Sequence, residues 1–118
     1  MTAENMVLRT VYVDSDVDKK LRDEALQKHT SKANLFRDYL GAGINAVKQH
    51  PDLLESADVN GQLPLVLRTI HLDPRVDNKL RVEAFTKRTS KNDMMRRYLR
   101  IGMDVLVNAS RQGRFVGR

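Results

Sequence analysis

The sequence predicts a mostly α-helical fold with a short two-stranded antiparallel β ribbon. Three observations lead to this prediction. The stretch Leu8–Asp14 returns as Leu67–Asp73, both stretches alternate apolar and polar residues as a strand does, and each is followed by two segments with helical periodicity. A two-stranded ribbon is marginal in water on its own. We therefore expect the two strands to pair with each other and to pack one apolar face on the helices.

The repeat extends beyond the strand and divides the chain. An offset of 59 residues holds without a gap from Val7 and Val66 to Val47 and Leu106, and about half of the positions in this window are identical. Two copies are too few for a solenoid, whereas a duplicated half of a two-fold symmetric unit explains them. For a chain of 118 residues we expect one compact domain. Its parts are a first repeat (7–48), a linker (49–65), a second repeat (66–107) and a basic flexible tail (108–118).

Each predicted strand has one apolar and one polar face. In the first copy Val11 and Val13 point one way, while Thr10 and Tyr12 point the other. The second copy repeats this pattern, with Ile70 and Leu72 against Thr69 and His71. Because a one-residue slip would turn the apolar face outward, two-fold pairing predicts a single register. It sets three pairs opposite each other: Thr10 and Thr69, Leu8 and His71, and Tyr12 and Leu67.

Two helices are expected after each strand. Asp14 is placed to cap a first helix over about Ser15–Lys28, and in the second repeat Asp73 is the cap and Pro74 the first helical residue. After a turn, Ser31 is placed to cap a second helix over about Lys32–Lys48. The apolar stripe of this second helix is too broad for a surface helix and predicts the core. It comprises Leu35, Phe36, Tyr39, Leu40, Gly43, Ile44 and Val47, with counterparts Met94, Met95, Tyr98, Leu99, Gly102, Met103 and Leu106. In the linker, Leu53, Leu54 and Val59 are expected to pack on the outside of the helices.

The charge of the chain favours a polyanionic partner. The formal net charge is +6 at pH 7. Residues 1–59 carry eight Lys and Arg against ten Asp and Glu, whereas residues 60–118 carry thirteen against five. The alternative is that these charges form ordinary solvated faces.

Several classes of protein are disfavoured. The chain has no cysteine, which fits a reducing compartment, and the sequence shows no signal peptide or membrane-spanning segment. We expect a cytoplasmic protein without a membrane partner. The three histidines fall in different predicted elements without ligand spacing, and no phosphate-binding loop is present. We expect no enzyme activity, and no catalytic residue, metal or cofactor.

Each repeat consists of a strand, a first helix that begins at Asp or Pro, a Ser-capped turn and a more apolar second helix. This order resembles the ribbon-helix-helix family of DNA-binding proteins such as Arc and MetJ. The resemblance covers both repeats, and its apolar slots agree between the copies. Members are usually homodimers, and a tandem copy in one chain is similar to the arrangement of TraY and related T-DNA-transfer accessory proteins. The resemblance therefore implies two ribbon-helix-helix repeats that form an intramolecular pseudo-dimer. One departure concerns His29 and Arg88, where the family often has glycine. Either these residues adopt the left-handed conformation at some cost, or the turn differs.

The resemblance implies that the ribbon enters the DNA major groove and that its outward side chains contact base edges. Threonine can exchange hydrogen bonds with a base edge and pack its methyl group on thymine. The alternative for any single residue is that Thr and Tyr simply favour strands, and the two leucines could instead cover the edge of the ribbon. The implied base-reading residues are Leu8, Thr10, Tyr12, Leu67, Thr69 and His71.

Phosphate contacts are expected from two further features. Arg9 and Arg68 lie at the strand starts, where they can reach phosphates or the groove edge; the alternative is a surface salt bridge to Asp14 or Asp73. The N-terminus of each second helix offers free N–H groups to a phosphate, as the resemblance implies. The matching residues are Ser31, Lys32 and Asn34 in the first repeat and Ser90, Lys91 and Asn92 in the second, with capping alone as the alternative for the serines.

We therefore expect a sequence-specific double-stranded DNA-binding protein. The resemblance favours an accessory factor of plasmid conjugative or T-DNA transfer that binds an origin of transfer within a relaxosome. A transcriptional repressor of the same fold is the alternative, and a protein-interaction scaffold without DNA is less favoured. The expected partners are double-stranded DNA, a second copy on an adjacent DNA site, and a relaxase or other transfer proteins. Because Tyr12 and His71 differ, the site need not be palindromic.

Overall fold

The computed structural model describes the backbone of residues 5–57 and 64–116, and the side chains of residues 5–57 and 64–107. The fold is mostly helical with one two-stranded antiparallel sheet, as the sequence predicts. In chain order the elements are β1 (Val7–Asp14), α1 (Ser15–Lys28), α2 (Lys32–Gln49), α3 (Asp52–Ser56), β2 (Leu65–Leu72), α4 (Pro74–Lys87) and α5 (Lys91–Val116).

The ribbon has the predicted register. Thr10 lies opposite Thr69, and the pairs on either side are those expected from the two-fold argument, Leu8 with His71 and Tyr12 with Leu67. The apolar face rests on the helices, where Val11, Val13, Ile70 and Leu72 are all at most 6% exposed. Burial of this face excludes any odd slip of the register, because such a slip would bring these four side chains into water.

The first helix of each repeat begins as predicted, and α1 also ends at the predicted Lys28. His29 and Arg88 end α1 and α4 with φ angles of 53° and 55°, so both adopt the left-handed conformation that glycine usually supplies. The backbone N–H of each donates back into its helix, to Ala25 and Ala84 respectively. These hydrogen bonds satisfy carbonyl groups at the helix end and offset the strain of a side chain in this region.

The two predicted N-caps behave differently. Asp73 accepts a hydrogen bond from the backbone N–H of Arg75 at 2.8 Å, which is the expected cap. Asp14 occupies the cap position of α1, but its side chain makes no capping hydrogen bond. The carboxylate of Asp14 is instead buried against Arg96, a tertiary contact that a local sequence pattern does not reveal.

The core is built where α2 crosses α5. A Cβ atom placed on Gly43 would overlap the carbonyl oxygen of Tyr98, and one on Gly102 would overlap the carbonyl oxygen of Tyr39. The two glycines therefore allow the helix backbones to touch. Two straight helices diverge on either side of such a crossing. Within the part of α5 whose side chains are described, burial weakens beyond Gly102, and Leu106, predicted to be buried, is exposed.

Two segments differ from the prediction. The linker contains the short helix α3, which buries Leu54 and packs Leu53 against the core as expected, whereas Val59 lies outside the described residues. The predicted tail from residue 108 is not separate, because the backbone of α5 continues as helix to Val116. No proline follows residue 107, so the backbone hydrogen bonding of the existing helix can continue, at a cost of about 1 kcal/mol at Gly113.

Candidate nucleic-acid interface

The six predicted base-reading residues lie together on the outer face of the ribbon. Thr10 and Thr69 are exposed at its centre, and His71 is half-buried. Leu8, Tyr12 and Leu67 are 54%, 51% and 52% exposed. Since side chains alternate along a strand, this face is opposite the one that packs on the helices. It presents hydroxyl, phenol, imidazole and isobutyl groups side by side.

Arg9 and Arg68 extend from the ribbon towards the helices rather than along its outer face. The guanidinium group of Arg68 contacts both carboxylate oxygens of Asp18 on α1, from Nε at 3.1 Å and from a terminal nitrogen at 2.9 Å. Arg9 contacts Asp77 on α4 in the same way, at 3.2 and 3.2 Å. The ion pairs predicted as an alternative from the sequence, to Asp14 or Asp73, are therefore wrong, because each arginine lies against the first helix of the other repeat.

The lysines at the helix starts share the same two carboxylates. Lys32, the first residue of α2, places its Nζ 2.5 Å from Asp18, and Lys91, the first residue of α5, contacts Asp77. The ribbon is thus flanked by two corresponding clusters of one arginine, one lysine and one aspartate. Each has one positive charge in excess. We call them the Asp18 cluster (Asp18, Lys32, Arg68) and the Asp77 cluster (Asp77, Lys91, Arg9).

A cleft lies beside each cluster at the edge of the ribbon. One cleft, of about 170 Å³, is lined by Lys32, Arg68 and Thr69 among others. The other, also of about 170 Å³, is lined by Arg9, Thr10 and Lys91. Each cleft therefore joins a central threonine of the outer face to an arginine and a lysine. The arginine and lysine side chains are between 32% and 45% exposed, so part of each faces water.

The two aspartates are held in their charged form. Burial raises the pKa of Asp18, but hydrogen bonds from Arg68 and Lys32 outweigh burial and hold the pKa below its ordinary value. Burial likewise raises the pKa of Asp77, and the hydrogen bonds from Lys91 and Arg9 more than compensate and lower it. Both carboxylates therefore stay ionised at neutral pH, and each keeps its two cations in place.

The starts of α2 and α5 are capped as predicted. The Ser31 hydroxyl accepts a hydrogen bond from the backbone N–H of Asn34 at 3.0 Å, and the Ser90 hydroxyl accepts one from that of Asp93 at 2.9 Å. The amide of Asn34 is engaged within its own turn, since its Oδ1 accepts a hydrogen bond from Arg37 at 2.6 Å. The first backbone N–H groups of a helix lack acceptors within it. The N-termini of α2 and α5 therefore carry a partial positive charge, which favours an anion.

Asn92 has a role that the sequence did not indicate. Its Oδ1 accepts a hydrogen bond from the backbone N–H of Tyr12 at 2.8 Å, and its Nδ2 donates one to the carbonyl of Tyr12 at 2.9 Å. The side chain of Asn92 thus occupies the open edge of β1 at Tyr12, whose counterpart in the second repeat is His71. The equivalent residue in the first repeat is Ala33, and there Arg37 donates to the carbonyl of His71 at 3.0 Å instead.

Asp18 and Asp77 were not singled out from the sequence. The available signal was their identity at equivalent positions of the two repeats, although the residues that follow them, Lys19 and Asn78, differ. Sequence spacing does not show which cation contacts which carboxylate. Each arginine contacts an aspartate of the other repeat, and each lysine contacts an aspartate on a different helix. Tyr39 and Tyr98 are a second such pair, buried and hydrogen-bonded to Glu24 and Glu83.

Among the residues that the structure describes, no group of three or more His, Asp or Glu side chains is placed to hold a metal ion. In the same part of the chain, no helix has the length and apolar character needed to cross a membrane. Comparisons of the chain with models of known protein families, with curated proteins and with solved structures found no match.

Proposed function

We propose that this chain is a sequence-specific double-stranded DNA-binding protein that inserts its ribbon into the major groove, and that its two repeats form an intramolecular ribbon-helix-helix pseudo-dimer. The observation that carries the proposal is the register of the ribbon, which centres Thr10 and Thr69 on an exposed outer face. A two-stranded ribbon matches the width of the major groove. The side chains on this face have no role in the core and offer the groups that base edges recognise.

The flanks of the ribbon support the same proposal. A ribbon lying in the groove has a phosphate backbone on each side, and the Asp18 and Asp77 clusters lie on the two sides of this ribbon. Each contributes an arginine and a lysine with exposed surface next to a capped helix start. Lysine and arginine contacts to phosphates supply most of the sequence-independent affinity for DNA.

Within DNA binding, we propose a role in conjugative or T-DNA transfer, as an accessory factor at an origin of transfer. The physical reason is the tandem arrangement, since the two joined copies are free to diverge and to read a site without a palindrome. Repression of transcription is the alternative role. Mapping the selected site distinguishes them, because a transfer factor binds beside an origin of transfer and a repressor binds over a promoter.

A protein-interaction scaffold is the competing function from another class. One observation favours it: Leu26 and Phe85, which occupy equivalent positions of α1 and α4, are 73% and 87% exposed. Apolar side chains this exposed can contact another protein. Single exposed apolar residues are common on any protein surface, however, so this observation is weaker than the ribbon.

The direct experiment is selection of bound fragments from random duplex DNA, followed by titration of the selected duplex at several salt concentrations. The proposal predicts an enriched motif and an affinity whose logarithm falls linearly with the logarithm of salt concentration. Enrichment of no motif, together with salt-independent or absent binding, would contradict DNA recognition and favour the scaffold.

A further inference from the structure

Asp18 and Asp77 are buried carboxylates next to the surface proposed to meet a polyanion. Their side chains are only 7% and 11% exposed. A negative charge here repels the phosphates of DNA. A surface that bound DNA through its net positive charge alone would bind more tightly without these carboxylates. The contacts of these carboxylates suggest what they contribute instead.

Each carboxylate fixes the orientation of a whole guanidinium group. Arg68 donates two hydrogen bonds to Asp18 and a third to the carbonyl oxygen of Leu67, at 2.9 Å. Arg9 does the same with Asp77 and with the carbonyl oxygen of Leu8, at 3.1 Å. A guanidinium group has five N–H donors, so each arginine keeps two for a further acceptor, in a plane that is already set.

Each carboxylate also ties together parts of the molecule that are distant in the chain. Asp18 on α1 joins an arginine of β2 to the lysine that starts α2, and Asp77 on α4 joins an arginine of β1 to the lysine that starts α5. The relative position of arginine and lysine across each cleft is therefore determined by one aspartate. Free lysine and arginine side chains would lose conformational entropy on binding, whereas side chains already held lose less.

We propose that Asp18 and Asp77 are positioning residues for DNA recognition, each holding one arginine and one lysine where they meet the phosphates on one side of the ribbon. This inference rests on the DNA-binding function proposed above. It assigns to two acidic residues a favourable effect on specific affinity, although their charge repels the ligand.

The sign of the effect separates this proposal from simple electrostatics. If charge alone matters, replacing either aspartate by asparagine adds one net positive charge and tightens binding to every DNA. If position matters, the same replacement releases the cations. Binding to the selected duplex then weakens, while loosely ordered complexes with unrelated DNA, which need charge but no fixed geometry, keep or increase their affinity.

The test uses the full chain with Asp18→Asn and Asp77→Asn, titrated against the selected duplex and a scrambled duplex. The matched control is Asp23→Asn, which makes the same charge change at a half-exposed carboxylate on the surface of α1. We expect each of the two variants to lose roughly tenfold on the selected duplex and nothing on the scrambled one. The Asp23→Asn control should lose affinity for neither. Equal or tighter binding of folded Asp77→Asn to the selected duplex overturns the proposal.

A double-mutant cycle identifies the side chain through which Asp18 acts. Arg68→Lys keeps the charge but loses the two-point contact. If Asp18 acts largely through Arg68, Asp18→Asn should lower the affinity for the selected duplex clearly less in the Arg68→Lys variant than in the original chain. Fully independent losses contradict this route.

Thermal unfolding of each variant shows whether it is folded at the assay temperature. If the asparagine variants unfold, Asp77→Glu decides the matter, because it keeps a charged acceptor but displaces both cations by one methylene group. A loss of affinity confined to the selected duplex supports positioning. An unchanged ratio of the affinities for the selected and the scrambled duplex overturns it. Absence of DNA binding by the original chain is a different result, which contradicts the proposed function itself.

Discussion

Thr10 lies directly opposite Thr69 in the ribbon, and the two residues occupy the same position in the two copies of the repeat. The ribbon therefore pairs two equivalent residues of one polypeptide chain at its centre. Pairing within one chain is a first-order process, so its free energy does not depend on protein concentration. We predict a thermal unfolding curve, followed by circular dichroism, that is unchanged from tens of micromolar to tens of nanomolar chain. A midpoint that falls on dilution would show that strands pair between chains.

The crossing of α2 and α5 predicts opposite effects for two glycine substitutions in the same helix. Gly43→Ala places a methyl group on the carbonyl of Tyr98 and should lower the free energy of unfolding by about 1–3 kcal/mol or more, because the backbones must separate. Gly41→Ala is the matched control, since nothing lies within 4 Å of its added Cβ. It should raise the free energy of unfolding by about 0.5–1 kcal/mol through helix propensity. Urea denaturation measures both, and equal effects of the two changes would contradict the close crossing.

The buried pair of Asp14 and Arg96 predicts that the two corresponding cap residues differ in importance. Asp14 is 1% exposed and contacts both Arg96 and Arg100, so Asp14→Ala leaves a buried guanidinium group without this partner. We expect a loss on the order of 3 kcal/mol in the free energy of unfolding. Asp73→Ala removes a helix cap and an exposed contact to Arg75, and should cost clearly less. Urea denaturation that ranks the two variants in the opposite order would contradict this assignment.

The buried tyrosines predict a loss of stability at alkaline pH. Burial, and then the hydrogen bonds to Glu24 and Glu83, raise the pKa of Tyr39 and Tyr98 above the ordinary value. The unfolded chain therefore loses these protons first, at a pH of about 10, while the folded chain keeps them. The free energy of unfolding should fall above that pH, by up to about 1.4 kcal/mol per pH unit for each tyrosine. Comparison with the double variant Tyr39→Phe, Tyr98→Phe tests this, since an equally steep fall in the variant would assign the effect to other groups.

The parts of the fold that follow from local patterns could be predicted from the sequence. Alternation with a buried face excludes odd slips of the ribbon, and the equivalence of the two strands in the repeat then selects the pairing of Thr10 with Thr69. The Ser31 cap and the start of α4 at Pro74 depend only on neighbouring residues. The placement of His29 in the left-handed conformation could be stated only as one of two possibilities. A histidine there is strained, and only the surrounding structure shows whether the strain is accepted.

The remaining features depend on contacts between distant parts of the chain. The sequence places Asp18, Arg68 and Lys32 in three different elements, and only the tertiary packing of β2, α1 and α2 brings them together. The double hydrogen bond of Asn92 to the backbone of Tyr12 spans most of the chain and has no counterpart in the first repeat. Identity between the repeats relates Asp18 to Asp77 and Arg9 to Arg68, but it does not show which atoms are in contact.

Base reading by the outer face of the ribbon is tested by titrating the Thr69→Ala variant against the selected duplex and a random duplex at two salt concentrations. Lys91→Ala is the control for phosphate binding and should weaken the complexes with both duplexes, reducing the salt slope by about one. For Thr69→Ala we predict a loss of about 1–3 kcal/mol on the selected duplex, with the random duplex nearly unchanged. Equal losses of Thr69→Ala on both duplexes, or no loss on either, would contradict base reading by the ribbon.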